Sequence, residues 1–211
     1  MDNYIEGMLQ EIMESISDPS TLAIPNPGLL TYYQNLKERR FWIDFAVDEN
    51  VLEYARYIIQ WNIEDASIAP EERKPIRIYL FNYGGSADIM WMFTDIIQKS
   101  LTPVITINMG QCGSAAALIF MAGHKRLMMP SATVTIHEGS NQIGGDAVKV
   151  IDQAESYKVM IKKMRNYIIS HTKIPSATLN KKRNNDWELD SEMCLKYGVC
   201  DKIVDTITDI F

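Results

Sequence analysis

Hydrophobic and polar positions alternate along the chain with two different periods, and the switches between them divide it into predicted strands and helices. Apolar residues recur at helical spacing over residues 2–17, and the proline-rich stretch from Pro19 to Pro27 is typical of a linker. Strands and helices then alternate: strands over 41–47, 76–82 and 104–109, and helices over 51–61 and 88–98. We therefore expect an α/β fold with a largely parallel sheet covered by helices.

The second half of the chain continues this alternation and adds one long helix. The predicted elements are a buried helix over 114–123, strands over 126–129 and 133–137, a helix over 146–171, a short helix over 191–197 and a closing strand over 203–207. The helix over 146–171 is longer than a compact domain needs, so we expect it to project towards another subunit. We predict one domain over residues 27–211, preceded by the amphipathic helix and linker of residues 1–26.

Composition narrows the classes of partner and compartment. The net charge of −6, with only short basic runs, argues against a nucleic-acid partner. Cys112, Cys194 and Cys200 form no CxxC pair and indicate neither a disulfide framework nor a zinc site, so we expect no metal and no cofactor. The longest apolar run, Ala115–Ala122, is too short to cross a bilayer, and we predict a cytoplasmic protein without a membrane partner.

Ser114 is the first candidate for chemistry. The segment from Gly110 to Ala117 follows a predicted strand and opens an apolar helix, so a tight turn with small neighbours can present the serine hydroxyl. The backbone N–H of Ala115 would then lie at a helix N-terminus, where the dipole favours a developing negative charge. The alternative role of Ser114 is a plain helix N-cap. Cys112 is an alternative nucleophile, although its expected role is buried filler.

Three further features, a histidine, an aspartate and a pair of glycines, complete a candidate constellation. His137 ends a predicted strand that can return beside the serine turn, and its alternative role is a capped or solvent-facing imidazole. Asp186 is free for another task because Asp190 is suited to cap the following helix, and an Asx turn is its alternative role. Gly84 and Gly85 lie between a strand and a helix, where N–H groups can point at an oxyanion. A simple turn or a phosphate cradle is the alternative, although no nucleotide-binding GxGxxG is present.

Together these motifs resemble the proteolytic subunit of Clp proteases, the ClpP family of serine peptidases. The resemblance runs from Thr31 to Val204, and the segments that carry it are Ile78 to Gly85, Met109 to Ala115, Pro130 to His137 and Asn185 to Asp201. It implies an α/β fold built as a crotonase-like spiral of ββα units, with a projecting handle helix at residues 146–171. It also implies five site residues: the nucleophile Ser114, the general base His137, the orienting acid Asp186, and the oxyanion-hole amides of Gly85 and Ala115.

The resemblance extends to assembly and substrate. It implies heptameric rings stacked as a tetradecamer, peptide or unfolded-protein substrates inside the chamber, and an AAA+ ATPase as a partner. Tyr83 stands where the family has proline, and Glu138 with Gly139 stand where it has Gln-Pro, so the substrate cleft differs from that of typical members. Three alternatives stay open: a divergent or phage-type member that works without an ATPase, a non-catalytic scaffold or regulator, and a crotonase-type acyl-CoA enzyme.

Overall fold

The structure, a computed structural model, describes residues 27–140, 142–182 and 185–211. The chain falls into two compact units that divide between Glu38 and Arg39. The predicted helix over residues 2–17 and the predicted linker up to residue 26 lie outside the described residues. The domain boundary between residues 26 and 27 therefore stays a prediction.

Strands and helices alternate along the described residues, which confirms the predicted α/β fold. The described part of the smaller unit contains the helix α1 (Pro27–Lys37). The larger unit contains β1 (Arg40–Ile43), α2 (Val51–Glu64), β2 (Ile76–Asn82), α3 (Ala87–Lys99), β3 (Val104–Gly113), α4 (Ala115–Ala122), β4 (Lys125–Met128), β5 (Thr133–Ile136), α5 (Ala147–His171), α6 (Ser176–Lys182), β6 (Trp187–Asp190), α7 (Ser191–Lys196) and β7 (Lys202–Ile203). Short 3-10 helices lie at Pro70–Glu72 and Ile207–Ile210.

A seven-stranded, mostly parallel sheet connects the strands of the larger unit. Its main path runs β1-β2-β3-β4-β7, and each pairing along that path is parallel. β3 is long enough to pair with two further strands along one edge: its residues 105–108 pair with β4, and its residues 111–113 pair with β5. β6 then pairs with β5 in the antiparallel direction. The carboxyl ends of β3 and β5 and the start of β6 thus come together at one edge of the sheet.

The helices cover this sheet with apolar faces of helical spacing. In α2 the buried residues are three or four positions apart: Val51, Tyr54, Ala55, Ile58 and Trp61. Ser86 lies just before α3, and its side chain accepts from the Ile89 N–H and so caps the helix. Burial of one large apolar side chain contributes about 1.5–3 kcal/mol, so a face of this kind is enough to fix a helix on the sheet.

The helices α4 and α5 differ most in burial. All residues of α4 are buried, and this helix packs against α3, β3 and α5. In α5 the buried residues are Met164 and Ile168, both in its C-terminal half, so the N-terminal half extends beyond the core as a handle. The helix α5 spans Ala147–His171, so the predicted bounds of 146–171 are correct to one residue. Neither α5 nor another described helix combines the length and the apolar character needed to cross a lipid bilayer.

The structure departs from the predicted elements at both ends of the larger unit. The predicted strand over 41–47 ends at Ile43, and Val47 forms only an isolated bridge with Gly85. The predicted closing strand over 203–207 is wrong, because pairing stops at Ile203 and a 3-10 helix follows. The Asp209 carboxylate stabilises the start of that 3-10 helix by accepting from backbone N–H groups. The sequence pattern also does not predict α1, α6 or β6.

Candidate active site

Ser114 lies on a strained turn between β3 and α4. Its backbone has φ 53° and ψ −121°, a conformation that residues with a side chain rarely adopt. The turn is fixed because the Ser114 N–H donates to the Thr135 carbonyl at 2.9 Å, and the Ser114 carbonyl accepts from the Ala117 N–H at 3.0 Å. The hydroxyl makes no capping bond to α4, which argues against a plain N-cap role. A strained serine between a strand and a helix is an arrangement that hydrolases use to present a nucleophile.

A second turn, residues 83–85, packs directly against the serine turn. A Cβ atom on Gly84 would lie 2.7 Å from the Ser114 Cβ, and one on Gly113 would lie 2.9 Å from the Tyr83 carbonyl oxygen. Both distances are shorter than real Cβ contacts, so both positions require glycine. The Asn82 side-chain oxygen accepts from the Gly84 N–H at 2.7 Å and fixes the entry to this turn.

Two backbone amides beside the serine are available to bind an oxyanion. Gly85 and Ala115 line the same cleft as the serine, and their N–H groups have no acceptor in the part of the chain that the structure describes. Val47 hydrogen-bonds the residues on either side of Gly85 and not Gly85 itself. The Val47 N–H donates to the Gly84 carbonyl, and the Val47 carbonyl accepts from the Ser86 N–H. Ala115 is the first residue of α4, so its N–H has no partner within the helix. Such amides favour a negative charge that develops on a bound carbonyl oxygen.

The strand register aligns His137 with Asp186. β5 and β6 are antiparallel, and the pairing between them ends with Ile136 opposite Trp187. One step further in the same register, His137 falls opposite Asp186. Residues directly opposite in an antiparallel pair have Cβ atoms about 4.5–5.5 Å apart. The imidazole is half-buried, whereas the carboxylate is exposed.

The hydrogen bond of the His137 ring lies within its own loop. Its Nδ1 atom accepts from the Gly139 N–H at 3.0 Å. No hydrogen bond among the described residues joins this ring to the Ser114 hydroxyl or to the Asp186 carboxylate. The structure therefore brings the serine and the histidine to one cleft, but it does not join them to each other or to Asp186, whose place opposite His137 follows only from continuing the β5–β6 register by one residue. Their catalytic roles stay predictions.

The other two histidines have contacts elsewhere. The Nδ1 atom of His124 accepts from the Val104 N–H at 3.0 Å, and burial lowers the pKa of this ring. His171 stacks on Tyr167, with ring centroids 4.0 Å apart. Of the three histidines, His137 is the one that lines the cleft of Ser114.

The cleft beside Ser114 has a volume of about 350 Å³, which is within the usual range of ligand sites. Its apolar wall consists of Met90, Tyr157, Met160 and Met164, and its polar residues include Ser86, Asp88 and Ser140. The wall residues of α5 belong to no chemical motif, and the only sequence signal for them is their spacing of three and four positions. Among the described residues, no three His, Cys, Asp or Glu side chains lie close enough to hold a metal ion.

Cys112 does not have the surroundings of a nucleophile. Its side chain is fully buried, and this burial raises the pKa of the thiol well above its ordinary value. A cysteine reacts as the thiolate, so a thiol that stays protonated is inert. Buried filler is the role that these observations support.

Comparisons with known proteins find one family. The family model described as Clp protease matches residues 32–207 of the chain. The chain is 32% identical to "ATP-dependent Clp protease proteolytic subunit 2" of Treponema denticola over 139 residues, which cover 65% of this chain and 70% of that protein. It is 27% identical to "ATP-dependent Clp protease proteolytic subunit" of Paracoccus denitrificans over 146 residues, which cover 68% of this chain and 73% of that protein.

Proposed function

The chain belongs to the Clp protease family, and we propose that it is a serine peptidase that hydrolyses peptide bonds with Ser114, His137 and Asp186. Family membership supports protease activity. The observation that carries the serine mechanism is the strained Ser114 turn beside two backbone amides that have no acceptor among the described residues. The β5–β6 register, which would set His137 opposite Asp186 if continued by one residue, supports the other two roles.

In the proposed mechanism, the Ser114 Oγ attacks the carbonyl carbon of the peptide while the Nε2 atom of His137 accepts the hydroxyl proton. The amides of Gly85 and Ala115 bind the oxygen of the tetrahedral intermediate, and the loss of one such donor typically costs about 10²–10³ in rate. The imidazolium then gives its proton to the leaving amine, and water hydrolyses the acyl-enzyme by the same steps. Asp186 accepts a hydrogen bond from Nδ1–H and stabilises the imidazolium.

We also propose that the peptidase works as a homo-oligomer of stacked heptameric rings, a tetradecamer with the clefts inside a chamber. The solvent-exposed N-terminal half of α5 supports this, because it carries apolar side chains suited to contact another copy. The names of the two relatives describe ATP-dependent subunits. By extension, an AAA+ ATPase would feed this chamber with unfolded protein in the cytoplasm.

A non-catalytic scaffold is the second candidate, and one observation favours it. The Nδ1 atom of His137 is bonded to the Gly139 N–H rather than to Asp186. If this bond never breaks, His137 cannot serve as a base. The two candidates differ in whether Ser114 is reactive.

A fluorophosphonate probe tests the proposal. We expect the intact oligomer to form a phosphonyl adduct at Ser114, located by mass spectrometry, and to hydrolyse short fluorogenic peptides. Ser114→Ala removes both the adduct and the hydrolysis, whereas Ser140→Ala, a change of another serine in the same cleft, keeps the adduct. The absence of an adduct and of hydrolysis in the parent, even after prolonged incubation, would support the scaffold instead.

A further inference from the structure

The Gly139 amide determines which proton His137 carries. A neutral imidazole has one nitrogen that donates and one that accepts. Because Nδ1 accepts from the Gly139 N–H at 3.0 Å, the ring proton must be on Nε2. Neither nitrogen of the His137 ring can then accept the proton of the Ser114 hydroxyl. The Nδ1 lone pair already accepts from Gly139, and Nε2 already carries a hydrogen.

We propose that Gly139 is a positioning residue that holds His137 in the unreactive Nε2–H tautomer, and that the peptidase becomes active when Nδ1 exchanges this amide for Asp186. The inference rests on the proposed serine mechanism. In the exchange the ring loses the Nε2 proton to water and gains one from water on Nδ1, so its charge does not change. The new Nδ1–H donates to the Asp186 carboxylate, and Nε2 is free to accept from Ser114.

The long helix α5 holds the residue between His137 and Gly139 from two sides. The Tyr157 hydroxyl donates to the Glu138 carbonyl at 3.1 Å. The Arg165 guanidinium donates to the Glu138 carboxylate at 2.8 Å, in an ion pair whose side chains are only 19% and 28% exposed. Arg165 also hydrogen-bonds the Asn180 side chain on α6. The position of the Gly139 amide is therefore set by tertiary contacts of Glu138 and not by the loop alone.

The backbone of Gly139 explains why this turn forms easily. Its φ is 82°, in the left-handed region that glycine enters without steric cost. A Cβ atom there would meet only the Tyr157 hydroxyl, at 3.5 Å, so the site has room for a side chain. A substitution by alanine would thus keep the N–H and strain the backbone, whereas proline would remove the N–H and also force φ to about −65°, away from the 82° found here.

The hydrogen bonds that Nδ1 can make with Gly139 and with Asp186 are close enough in free energy for one to replace the other. The bond from Gly139 is a neutral one, whereas a bond from Nδ1–H to Asp186 would be assisted by the charge of the carboxylate and roughly twice as strong. Asp186 is exposed, so the ring can turn to its carboxylate without displacing packed side chains. The contacts of Glu138 with α5 oppose the exchange, and weakening them should favour the active tautomer.

Nitrogen NMR of the histidine rings tests the inference without a measurement of activity. We expect the parent, at a pH where its rings are neutral, to show His137 protonated on Nε2, with the signal assigned by comparison with His137→Asn. Gly139→Pro should move the proton to Nδ1. Gly139→Ala, which keeps the N–H and adds only a Cβ atom, should stay in the Nε2–H form.

Labelling rates give the second readout. We expect fluorophosphonate to label Gly139→Pro about 2- to 10-fold faster than the parent, the effect of releasing one neutral hydrogen bond, and to label Gly139→Ala no faster. An Nδ1–H signal in the parent would overturn the inference, as would equal rates for the proline and alanine variants. The parent spectrum decides even if Gly139→Pro does not fold. If the tautomers behave as expected but no variant is labelled, the proposed peptidase fails while the role of Gly139 stands.

Discussion

At the scale of single residues, close packing of the turn at residues 83–85 against the turn at Ser114 determines whether the serine hydroxyl can face the cleft. Gly84 has φ 116°, and a Cβ atom there would lie 2.7 Å from the Ser114 Cβ and 3.2 Å from the Ala115 amide nitrogen. We expect Gly84→Ala to push the serine turn away from the oxyanion amides and to lower kcat/KM for a fluorogenic peptide by about 100-fold or more. Backbone strain should also reduce the free energy of unfolding by about 1–3 kcal/mol.

Gly144 provides the matched control for this change. A Cβ atom at Gly144 would meet nothing within 4 Å, and its φ is not in the left-handed region. Gly144→Ala should therefore leave kcat/KM unchanged and alter the free energy of unfolding by less than about 0.5 kcal/mol. Equal effects of the two alanine variants would contradict the proposed contact between the turns.

Asp88 should bias the cleft towards basic substrates. It lines the cleft beside Ser114, where no Lys or Arg is among the lining residues, and it lies among methionine side chains that can pack along an aliphatic stem. We expect peptides with Lys or Arg next to the cleaved bond to be hydrolysed about 5-fold better than the norleucine analogue, because an attraction between partly exposed charges contributes about 1 kcal/mol. Added salt should reduce that ratio.

Two charge-neutralising variants separate this local effect from the net charge of the protein. Asp88→Asn should abolish the preference for Lys or Arg, whereas Asp95→Asn, which removes an exposed carboxylate of the same helix outside the cleft, should keep it. A preference that survives Asp88→Asn would assign the selection of substrates to another part of the cleft.

At the scale of elements, the hydrophobic pattern predicted those segments whose own sequence determines their conformation. The strand over Ile76–Asn82 has the predicted bounds, and the long helix α5 is correct to one residue, because each has a sustained period of its own. β6 is only four residues long and is defined by its pairing with β5, so no local pattern could indicate it. The end of β3 contains Gly110 and Gly113, which are typical of a turn, although tertiary pairing with β5 keeps it extended.

The same distinction holds for the candidate site. Motif order was enough to propose Ser114 and His137 as candidates, and both line one cleft in the structure. The Gly139 amide on the imidazole could not be predicted, because the bond depends on how Tyr157 and Arg165, far along the chain, hold Glu138. A family motif specifies which residues are present, whereas long-range contacts decide which hydrogen bonds those residues make.

One buried ion pair joins elements that are distant in sequence, and it should control their stability. Arg39, just before β1, makes a bidentate pair with Asp65 after α2, at 2.6 and 2.8 Å, and Thr102 before β3 donates to the same carboxylate. Hydrogen bonds from Arg39 hold the pKa of Asp65 below its usual range, although burial acts in the opposite direction. We expect Asp65→Asn to reduce the free energy of unfolding by about 3–5 kcal/mol at pH 7, because the buried guanidinium loses its bidentate partner and keeps only the half-exposed Glu64 carboxylate at 3.8 Å.

The direction of the pKa shift fixes how this cost depends on pH. A carboxylate with a lowered pKa in the folded state stabilises the protein above the unfolded pKa of about 3.9, and that contribution is lost as the pH falls through the lower folded value. Urea unfolding at pH 7 and near pH 3 should therefore show a smaller difference between parent and Asp65→Asn at the acid end. Glu155→Gln, which breaks an exposed pair with Lys158, should cost less than about 0.5 kcal/mol at either pH. A difference that does not shrink in acid would mean that the lost charge is not the cause.

At the scale of the whole molecule, exposed apolar side chains on the N-terminal half of α5 favour association with another copy of the protein. Val148, Ile151 and Val159 are 68%, 62% and 68% exposed, and their spacing brings them to one side of the helix. Apolar side chains that are grouped in this way are costly to leave in water and are typical of contact surfaces. We expect the parent to elute as a large oligomer, and Ile151→Glu to shift it towards smaller species, as measured by light scattering after size-exclusion chromatography.

Position 150 tests whether the side of the helix, and not simply the loss of a large apolar residue, drives this association. Val150 is adjacent in sequence but points about 100° away from Ile151 around the helix, on the side opposite Val148, and is 37% exposed. Val150→Glu adds the same charge and removes an apolar side chain of similar size, so it should leave the mass of the oligomer unchanged. If both glutamate variants dissociate the oligomer equally, α5 associates through more than one side. If neither does, the subunits associate through another surface, and the exposed half of α5 is open to a different partner.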